Sequence, residues 1–318
     1  MPPSNADTHK KGTNYFMVQF RDIEPDDISQ IKPLLEAADF FGNDYCLSNI
    51  FNWRCAYNSQ IAFINNFFVI KLHLPEPAYL FPAGFGDITP VIDALIADAK
   101  ECGAAFRLVG IEPKAKQQLE QLLPHKFVFE ELRDNFDYVY SREKLATLAG
   151  KKLHSKRTNI NHFLKEAPDW SYEPITPENL EECRRMHSQW RSLNNCSDNS
   201  PSNCDHSGLV KEKCAVRNAF ANFFELGMEG GLLRVNGKVV AFAAGVRYRR
   251  DSFIVNIEKA FLTPDGTYAM INNQFASHLP EDVLYINRED DFGDPGLRRA
   301  KLSYKPDMMI EKFAATLA

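Results

Sequence analysis

The spacing of hydrophobic residues predicts that the first half of the chain mixes amphipathic helices with short strands. Apolar residues recur every three or four positions in some segments, as in helices, and alternate or run together in others, as in strands. Helices are predicted over 25–38, 91–102 and 113–123. Strands are predicted over 18–20, 60–64, 67–73, 79–82, 106–109, 127–131 and 136–140. The turn pair Asn65-Asn66 predicts a hairpin between its flanking strands.

The second half repeats this mixture with longer strands. Helices are predicted after Gly150 and over 177–193, 210–226 and 267–279. Strands are predicted over 170–172, 232–235, 238–248, 251–262, 283–286 and 308–313. Asn236-Gly237 is the strongest short-range hairpin signal in the chain, so the strands on either side of it are predicted to pair.

Aromatic residues crowd the segment 40–57. The members of this stripe are Phe40, Phe41, Tyr45, Phe51, Trp53 and Tyr57. Aromatic side chains dominate protein interiors, so the stripe is typical of a core. The lining of a pocket is the alternative interpretation.

The strand 251–262 carries two polar residues that are candidates for a site. Alternation places Asn256 and Glu258 on one face, and Lys259 among apolar residues on the other. Polar groups are costly to bury without partners, so Asn256 and Glu258 mark a site unless this face of the sheet is exposed. The helix that follows is rich in amides, including Asn272, and its N-terminus suits an anion.

The segment 285–312 joins a short strand to a burst of charge, Arg288-Glu289-Asp290-Asp291. After it, Asp294 suits a helix N-cap and Pro295 the first helical position. Helical spacing puts one group of residues on one face of this helix and a basic group on another: Leu297, Ala300 and Tyr304, against Arg298, Lys301 and Lys305. A strand that is followed at its C-terminal end by both acidic and basic residues is typical of the edge of a ligand site in an α/β sheet. A solvated turn with surface ion pairs gives the same pattern.

Composition narrows the class of protein. The chain has 318 residues, of which 44% are hydrophobic and 25% charged, and its formal net charge is −5. These values indicate a soluble globular protein and argue against general coating of nucleic acid. No apolar run approaches the ~20 residues of a membrane helix. The beginning MPPSNADTHKKGTNYF lacks the apolar core of a signal peptide, so we expect a cytoplasmic location and disorder over residues 1–14.

The seven cysteines are irregularly spaced, which argues against a disulfide framework. Cys196, Cys204 and His206 share one polar loop. A zinc site there would need a fourth ligand and a closely spaced cysteine pair. We therefore expect no metal and treat the thiols of this loop as incidental.

The stretch from Arg142 to Glu166 has seven basic and two acidic residues, the opposite sign to the whole chain. Lys152 and Lys156 are four residues apart and project away from the apolar stripe of the predicted helix. The pattern fits a patch for phosphate-bearing partners. A solvated helix face is the alternative.

Five phrases of the sequence carry a resemblance to a known family. They are SREKLATLAGKKLHSKRTNINHF, ELGMEGGLLRVNGKVVAFAAG, NIEKAF, TYAMINNQFA and YINREDDFGDPGLRRAKLSYKP. The chain resembles the C-terminal catalytic domain of bacterial phosphatidylglycerol lysyltransferases over about residues 17–315, and its soluble stand-alone members of uncharacterised role most of all. The order of predicted elements after residue 150 also resembles the GNAT acyltransferase fold, and residues 16–140 follow a vaguer version of it.

The resemblance implies an α/β (α+β) fold class with tandem GNAT-like domains and mixed central sheets, one over 15–145 and a catalytic one over 146–318. It implies an aminoacyltransferase that takes an amino acid from aminoacyl-tRNA, as co-substrate, to a hydroxyl or amine acceptor. The acceptor would be phosphatidylglycerol, another lipid head group or a small molecule, which allows a peripheral position at a membrane.

The resemblance also suggests roles for particular residues. The catalytic candidates are Glu258, Asp290, Lys301 and Tyr304. Glu258 would assist the acceptor, while Lys301, Arg298 or Arg288 would hold phosphate or brace the oxyanion. The substrate-binding candidates are Asn256, Lys259, Asn272, Arg288, Arg298, Lys152, Lys156 and Arg157, the last three for the tRNA backbone. The Asn256–Glu258 strand and the Arg288–Tyr304 cluster are predicted to face one cavity.

Two departures from known patterns keep alternatives open. The lysyltransferases have a membrane flippase portion that this sequence lacks, which puts a lipid acceptor in doubt. The turn Thr263–Tyr268 matches the CoA-binding turn of GNAT enzymes at one glycine only, and Tyr268 adds bulk where the backbone should approach the pyrophosphate. Acetyl-CoA is therefore less expected than aminoacyl-tRNA. An acyl-CoA-dependent N-acyltransferase and a non-catalytic binding module of the same fold remain the alternatives.

Overall fold

The structure of this protein is a computed structural model that describes residues 18–73, 76–193 and 208–318. Residues 1–14, expected to be disordered, lie outside these ranges, and so does the loop with Cys196, Cys204 and His206. The helices are α1 Ile28–Ala38, α2 Leu47–Trp53, α3 Thr89–Glu101, α4 Pro113–Leu122, α5 Arg142–Thr147, α6 His154–Glu166, α7 Leu180–Leu193, α8 Gly208–Ala221, α9 Thr267–His278 and α10 Pro295–Ser303.

The strands alternate with these helices along the chain. They are β1 Arg21–Asp22, β2 Gln60–Ile64, β3 Phe67–His73, β4 Pro77–Leu80, β5 Ala83–Gly84, β6 Arg107–Ile111, β7 Phe127–Glu131, β8 Asp137–Ser141, β9 Ser171–Pro174, β10 Glu229–Val235, β11 Lys238–Arg247, β12 Ser252–Ala260, β13 Tyr285–Asn287, β14 Met308–Ile310 and β15 Phe313–Leu317.

Both predicted hairpins are present. Strands β2 and β3 pair antiparallel around Asn65, which has φ of 53°. Strands β10 and β11 pair antiparallel around Asn236 and Gly237, with φ of 49° and 72°. Positive φ at both turn residues matches the twist of the flanking strands, and asparagine and glycine tolerate it best.

The two sheets are built on one plan. The first has the order β1-β2-β3-β4-β6-β15-β7, with β5 beside β3, and the second has the order β9-β10-β11-β12-β13-β8-β14. In each sheet a hairpin is followed by a strand, a helix and then a parallel strand, since β4 pairs with β6 and β12 with β13 in parallel. The chain is therefore a repeat of one α/β unit. The predicted fold class, two GNAT-like domains with mixed sheets, is confirmed.

The two units exchange strands. Strand β8 precedes the second unit but lies between β13 and β14, while the last strand, β15, lies between β6 and β7. The predicted division at 145 and 146 therefore does not separate the sheets. The single strand predicted over 308–313 is likewise two strands, because β14 belongs to the second sheet and β15 to the first.

Each sheet is covered on both faces. In the second unit α9 packs on one face, through Met270 and Phe275, and the helices α7 and α8 cover the other face. In the first unit α3 covers one face and α1 the other. This layering buries both sides of the mixed sheets, which a parallel strand pair requires.

The parallel strands of the first unit are joined by a buried tyrosine at the point where they part. The hydroxyl of Tyr45 lies 2.8 Å from the carbonyl oxygen of Gly110 in β6 and 3.2 Å from that of Phe81, which follows β4. Tyr45 is 6% exposed. The opening between these strands is therefore filled by the protein's own side chain. Within the described ranges, no helix combines the length and apolarity needed to cross a membrane.

Candidate active site

A β-bulge in β12 sets the direction of the site residues. Val255 pairs with Gly245 and Ile257 with Ala244, so Asn256 has no partner in β11. The extra residue reverses the alternation beyond it. Glu258 therefore lies on the α9 side of the sheet, while Asn256 turns towards the first unit. The prediction that these two residues share a face is wrong for this reason.

Strand β12 also separates from its parallel neighbour near the bulge. The two strands pair only as far as Ile254 with Asn287. Beyond that point the chain after β13 stays hydrogen-bonded to β8, since Arg288 N donates to the Tyr138 carbonyl oxygen at 2.9 Å and Tyr138 N donates to that of Glu289 at 3.1 Å. Side chains of this segment contact two groups of polar residues: Arg288 contacts Glu258 on the α9 side, and Glu289 contacts Asn49 on the side of the first unit.

A largely buried ion pair lies on the α9 side. The Arg288 guanidinium donates through Nη2 to Glu258 Oε1 at 2.8 Å, and each side chain is 12% exposed. Asn272 of α9 donates to the other oxygen, Oε2, at 3.2 Å. Arg288 Nη1 and Asn272 Oδ1 are buried and have no hydrogen-bond partner within the described part of the chain. A donor and an acceptor are thus left available beside the ion pair.

Aromatic rings and a second cation surround this pair. The Tyr304 ring centre lies 4.9 Å from Arg288 Cζ and 4.1 Å from Lys156 Nζ. The Tyr140 ring lies 5.7 Å from the same guanidinium. Burial, followed by the charge of Arg288, lowers the pKa of Lys156. Two cations against one carboxylate leave this side of the segment positive.

Lys301 lies behind the segment and fixes its shape. Its Nζ donates to the carbonyl oxygen of Arg288 at 2.6 Å and to that of Asp290. The residue is 7% exposed, and this burial lowers the pKa of Lys301. The predicted faces of α10 are therefore wrong: Lys301 and Tyr304 are buried, whereas Leu297 and Ala300 are exposed. The predicted N-cap is confirmed, since Asp294 accepts from Leu297 N.

Carboxylates lie on the other side of the segment, towards the first unit. Glu289 Oε1 accepts from Asn49 Nδ2 at 2.8 Å and from Asn256 Nδ2 at 3.0 Å. Ser48 donates to Asn256 Oδ1 at 3.0 Å, so helix α2 is tied to the bulge. Burial raises the pKa of Glu289 to about 7 and that of Asp290 to about 6.

A cleft of about 100 Å³ opens between the two units beside these carboxylates. Its polar lining includes Asp44, Glu289 and Asp290. Its aromatic wall includes Trp53 and Phe292, whose ring centres are 5.7 Å apart. Part of the aromatic stripe at 40–57 thus lines a pocket, as the alternative interpretation of the sequence stated, while Tyr45 and Phe51 are buried.

Four predicted site residues lie elsewhere. Lys259 is on the opposite face of β12 from Glu258 and pairs with Glu212 at 2.6 Å. Arg298 pairs with Asp291 and Asp134, at 2.7 and 2.6 Å. Arg157 donates to the backbone carbonyl oxygens of Leu148 and Gly150, and Lys152 is exposed on the surface. None of these four contacts the Glu258–Arg288 pair.

The N-terminus of α9, expected to suit an anion, is covered by α6. A Cβ on Gly266 would lie 2.0 Å from the carbonyl oxygen of Asn159. The Glu166 carboxylate accepts from Asp265 N at 3.0 Å. Backbone and a carboxylate of α6 therefore occupy the surroundings of this helix end.

Several polar residues of the site escaped the sequence analysis. Tyr140 lies on the exchanged strand β8, and Asn49 on α2, far along the chain from β12. Lys312 is 2% exposed and pairs with Asp137 at 2.8 Å and with Asp44 at 2.7 Å. Only the aromatic stripe gave a signal for the part that the first unit contributes. In the described ranges no group of three or more His, Cys, Asp or Glu side chains is arranged to hold a metal.

Structural neighbours share this architecture over nearly the whole chain. A conserved protein of unknown function from Bacteroides thetaiotaomicron is 41% identical, with a TM-score of 0.87 over 95% of this chain and 100% of that one. The C-terminal domain (DUF2156) of a putative lysylphosphatidylglycerol synthetase from Agrobacterium fabrum is 16% identical, with a TM-score of 0.65 over 92% and 91% of the two chains. L-PGS from Bacillus licheniformis is also 16% identical, with a TM-score of 0.61 over 91% of each chain.

Sequence comparisons agree with the structural ones. An uncharacterized protein of Mycoplasmoides gallisepticum is 26% identical over 179 residues, which is 56% of this chain and 54% of that protein. The match therefore spans about half the length of this relative. The profile of the family described as "Phosphatidylglycerol lysyltransferase, C-terminal" matches residues 35–316. A match of this extent, together with the shared fold, shows that the chain belongs to the phosphatidylglycerol lysyltransferase C-terminal family.

Proposed function

We propose that this protein is an aminoacyltransferase that takes an amino acid from aminoacyl-tRNA to a hydroxyl or amine acceptor. Family membership supports aminoacyl transfer in general. The observation that carries the proposal is the largely buried Glu258–Arg288 pair, whose Arg288 Nη1 has no hydrogen-bond partner among the described residues. An aminoacyl ester needs a donor for the oxyanion that forms on its carbonyl when the acceptor attacks.

Arg288 suits the role of oxyanion donor better than the other two candidates. Its Nη1 has no hydrogen-bond partner among the residues that the structure describes, whereas Arg298 is paired with carboxylates and Lys301 donates to backbone carbonyl oxygens. Glu258 holds the guanidinium in place through Nη2, and Asn272 holds Glu258. Loss of one oxyanion donor typically lowers kcat by about 10²–10³-fold.

Tyr304 and Lys156 complete the electrostatics of the site. The Tyr304 ring lies under two cations, and its pKa is raised by burial, so the phenol stays neutral. The positive side chains suit the ester carbonyl and the terminal phosphate of a charged tRNA. Lys301 acts as a positioning residue, because it holds the backbone that carries Arg288.

The surface near Lys156 supports a polynucleotide partner. Lys151, Lys152 and Lys165 are exposed on or before α6, and none has an acidic partner within the described ranges. This group of exposed lysines, the α6 basic surface, begins next to Lys156, which lies against Tyr304. A tRNA backbone along this surface would place its charged end near Arg288.

Transfer from acyl-CoA has weaker support. The resemblance to the GNAT fold makes Thr263–Tyr268 the counterpart of the turn at which GNAT enzymes hold the CoA pyrophosphate. Here the Asn159 carbonyl packs on Gly266, and the Glu166 carboxylate accepts from Asp265 N. A pyrophosphate would meet a carbonyl oxygen and a carboxylate, both of which repel it.

The test combines tRNA binding with transfer. Filter binding compares charged and uncharged tRNA pools, and calorimetry titrates acetyl-CoA. We expect a preference for charged tRNA that weakens with salt. The salt slope should be smaller in Lys151→Glu/Lys152→Glu, by about one for each phosphate that a lysine no longer neutralises. Lys32→Glu/Lys114→Glu, on the exposed surface of the first unit, is the charge-matched control.

Transfer of a labelled amino acid from charged tRNA should fall about 100-fold or more in Arg288→Gln, with tRNA affinity retained. Acetyl-CoA binding without a tRNA preference would instead assign the protein to acyl-CoA chemistry. Binding of neither substrate would favour a non-catalytic module of the same fold.

A further inference from the structure

The cleft between the two units contains carboxylate oxygens that accept no hydrogen bond from the described residues. Glu289 is 9% exposed and Asp290 4%. Among the described residues, Glu289 accepts hydrogen bonds only at Oε1 and Asp290 only at Oδ1, from Phe292 N. Both side chains line the cleft, so Glu289 Oε2 and Asp290 Oδ2 are left for a donor that the described chain does not supply.

The neighbouring lysines are engaged elsewhere. Lys312 pairs with Asp137 and Asp44 and contacts Asn43. Lys301 donates to the carbonyl oxygens of Arg288 and Asp290. Neither ammonium forms an ion pair with the carboxylate of Glu289 or Asp290, so the cleft keeps an excess of negative charge.

Aromatic rings also line the cleft. Trp53 stacks on Tyr57, with ring centres 5.6 Å apart, and contacts Phe292. Aromatic faces attract ammonium groups, and Lys211 Nζ already lies 5.1 Å from the centre of the Tyr57 ring. A site lined by both carboxylate oxygens and aromatic rings is complementary to an organic cation. About 10–15 Å³ of such space holds one water, so this cleft of about 100 Å³ takes a group of several atoms.

From these groups we infer that the cleft binds the acceptor of the transfer reaction, as a primary alkylammonium group, between Glu289, Asp290 and the Trp53 ring. This inference rests on the proposed function and selects an amine rather than a hydroxyl acceptor. One segment carries residues of both sites: Glu289 follows Arg288 directly, and Asn256, which contacts Glu289, is two residues from Glu258.

The inferred reaction balances without any further reagent. Glu289 takes one proton from the alkylammonium, which leaves a neutral amine. The amine nitrogen then attacks the ester carbonyl carbon, and the C–N bond forms as the C–O bond to the tRNA ribose breaks. The second amine proton goes to the ribose oxygen, so the products are an amide and uncharged tRNA. Burial raises the pKa of Glu289 to about 7, which suits a group that accepts a proton near neutral pH.

The first experiment measures binding alone. Calorimetry compares n-butylammonium with 1-butanol, which has the same shape without the charge. We expect the ammonium to bind and the alcohol not to bind. Glu289→Gln and Asp290→Asn keep the oxygens that accept existing hydrogen bonds, so they should fold, yet lower the affinity at least tenfold. Trp53→Leu tests the aromatic wall, and Glu130→Gln, at an exposed ion pair of the first unit, is the control.

Equal binding of alcohol and ammonium, or unchanged affinity in both Glu289→Gln and Asp290→Asn, would overturn the inference. The second experiment supplies charged tRNA with n-butylamine or glycerol phosphate as acceptor. A base-stable amide of butylamine supports the inference. Aminoacylation of glycerol phosphate but not of butylamine overturns it and leaves the proposed function standing. If charged tRNA neither binds nor reacts with either acceptor, the proposed function falls and this inference with it.

Discussion

The Glu258–Arg288 pair allows a sharp test, because removal of one partner and removal of both should have different effects. Both side chains are 12% exposed. Breaking a buried pair by removing one partner typically costs about 3–5 kcal/mol, because the remaining charge stays buried without compensation. The residual exposure places Glu258→Ala near the lower end, about 3 kcal/mol. Loss of the Asn272 hydrogen bond adds about 1 kcal/mol.

Removal of both charges should restore much of this stability. A buried ion pair is often replaced by apolar residues at little cost. We therefore expect Glu258→Ala/Arg288→Met to unfold with a free energy about 2 kcal/mol higher than Glu258→Ala alone. Transfer activity should be lost in both variants, since the oxyanion donor is misplaced in one and absent in the other. Stability and activity thus separate in the double variant.

The assay is denaturant unfolding followed by circular dichroism, alongside transfer from charged tRNA. Asp282→Ala is the matched control, because it breaks the exposed Arg247–Asp282 pair and should change stability by less than about 1 kcal/mol. A Glu258→Ala variant as stable as the control would refute the argument that the pair is desolvated. A double variant that retains transfer would refute the role given to Arg288.

Three further predictions concern the surrounding structure. Burial raises the pKa of Glu289 to about 7 from 4.5, so between these two pH values the folded protein holds a proton that the unfolded chain releases. The free energy of unfolding should therefore fall as pH rises from 4.5 to about 7. Glu289→Gln should make this fall shallower by up to about 1.4 kcal/mol per pH unit, as denaturation at a series of pH values would show. Tyr45→Phe should cost about 1–2 kcal/mol and leave transfer unchanged, as activity and unfolding assays would show. Gly266→Ala should destabilise the protein far more than Gly150→Ala. Both glycines have φ near +85°, but of the two only Gly266 has a backbone atom where the Cβ would lie. A similar loss of stability in the two variants, measured by denaturant unfolding, would contradict the packing of α6 on Gly266.

Local signals predicted much of the fold. The hairpin at Asn236-Gly237 and the N-cap at Asp294 depend on neighbouring residues only, and both are present. The order of helices and strands in the second unit also follows from periodicity. These features need no information about distant parts of the chain.

The strand exchange and the bulge could not be predicted in the same way. Strands β8 and β15 read as ordinary ends of their own units, and only long-range pairing sends each into the other sheet. A prediction from periodicity likewise assumes an uninterrupted strand. Because Asn256 is an extra residue in the strand, Glu258 lies on the opposite face from Asn256 and not on the same face as predicted. Lys301 misled the prediction of the α10 faces because a lysine is rarely buried, and here backbone carbonyl oxygens compensate it.

The repeat of one unit explains why the candidate active site is in the second. In the first unit Tyr45 spans the parting of β4 and β6, and Glu112, the residue after β6, accepts from the backbone of Phe41 and Gly42. In the second unit the residue after β13 is Arg288, whose Nη1 has no hydrogen-bond partner in the described ranges. The first unit contributes in another way, because its helix α2 supplies Asn49 and Trp53 to the cleft beside Glu289. The second unit thus keeps polar groups available for a substrate. The first unit, whose equivalent opening is filled by its own side chains, contributes residues that line the cleft.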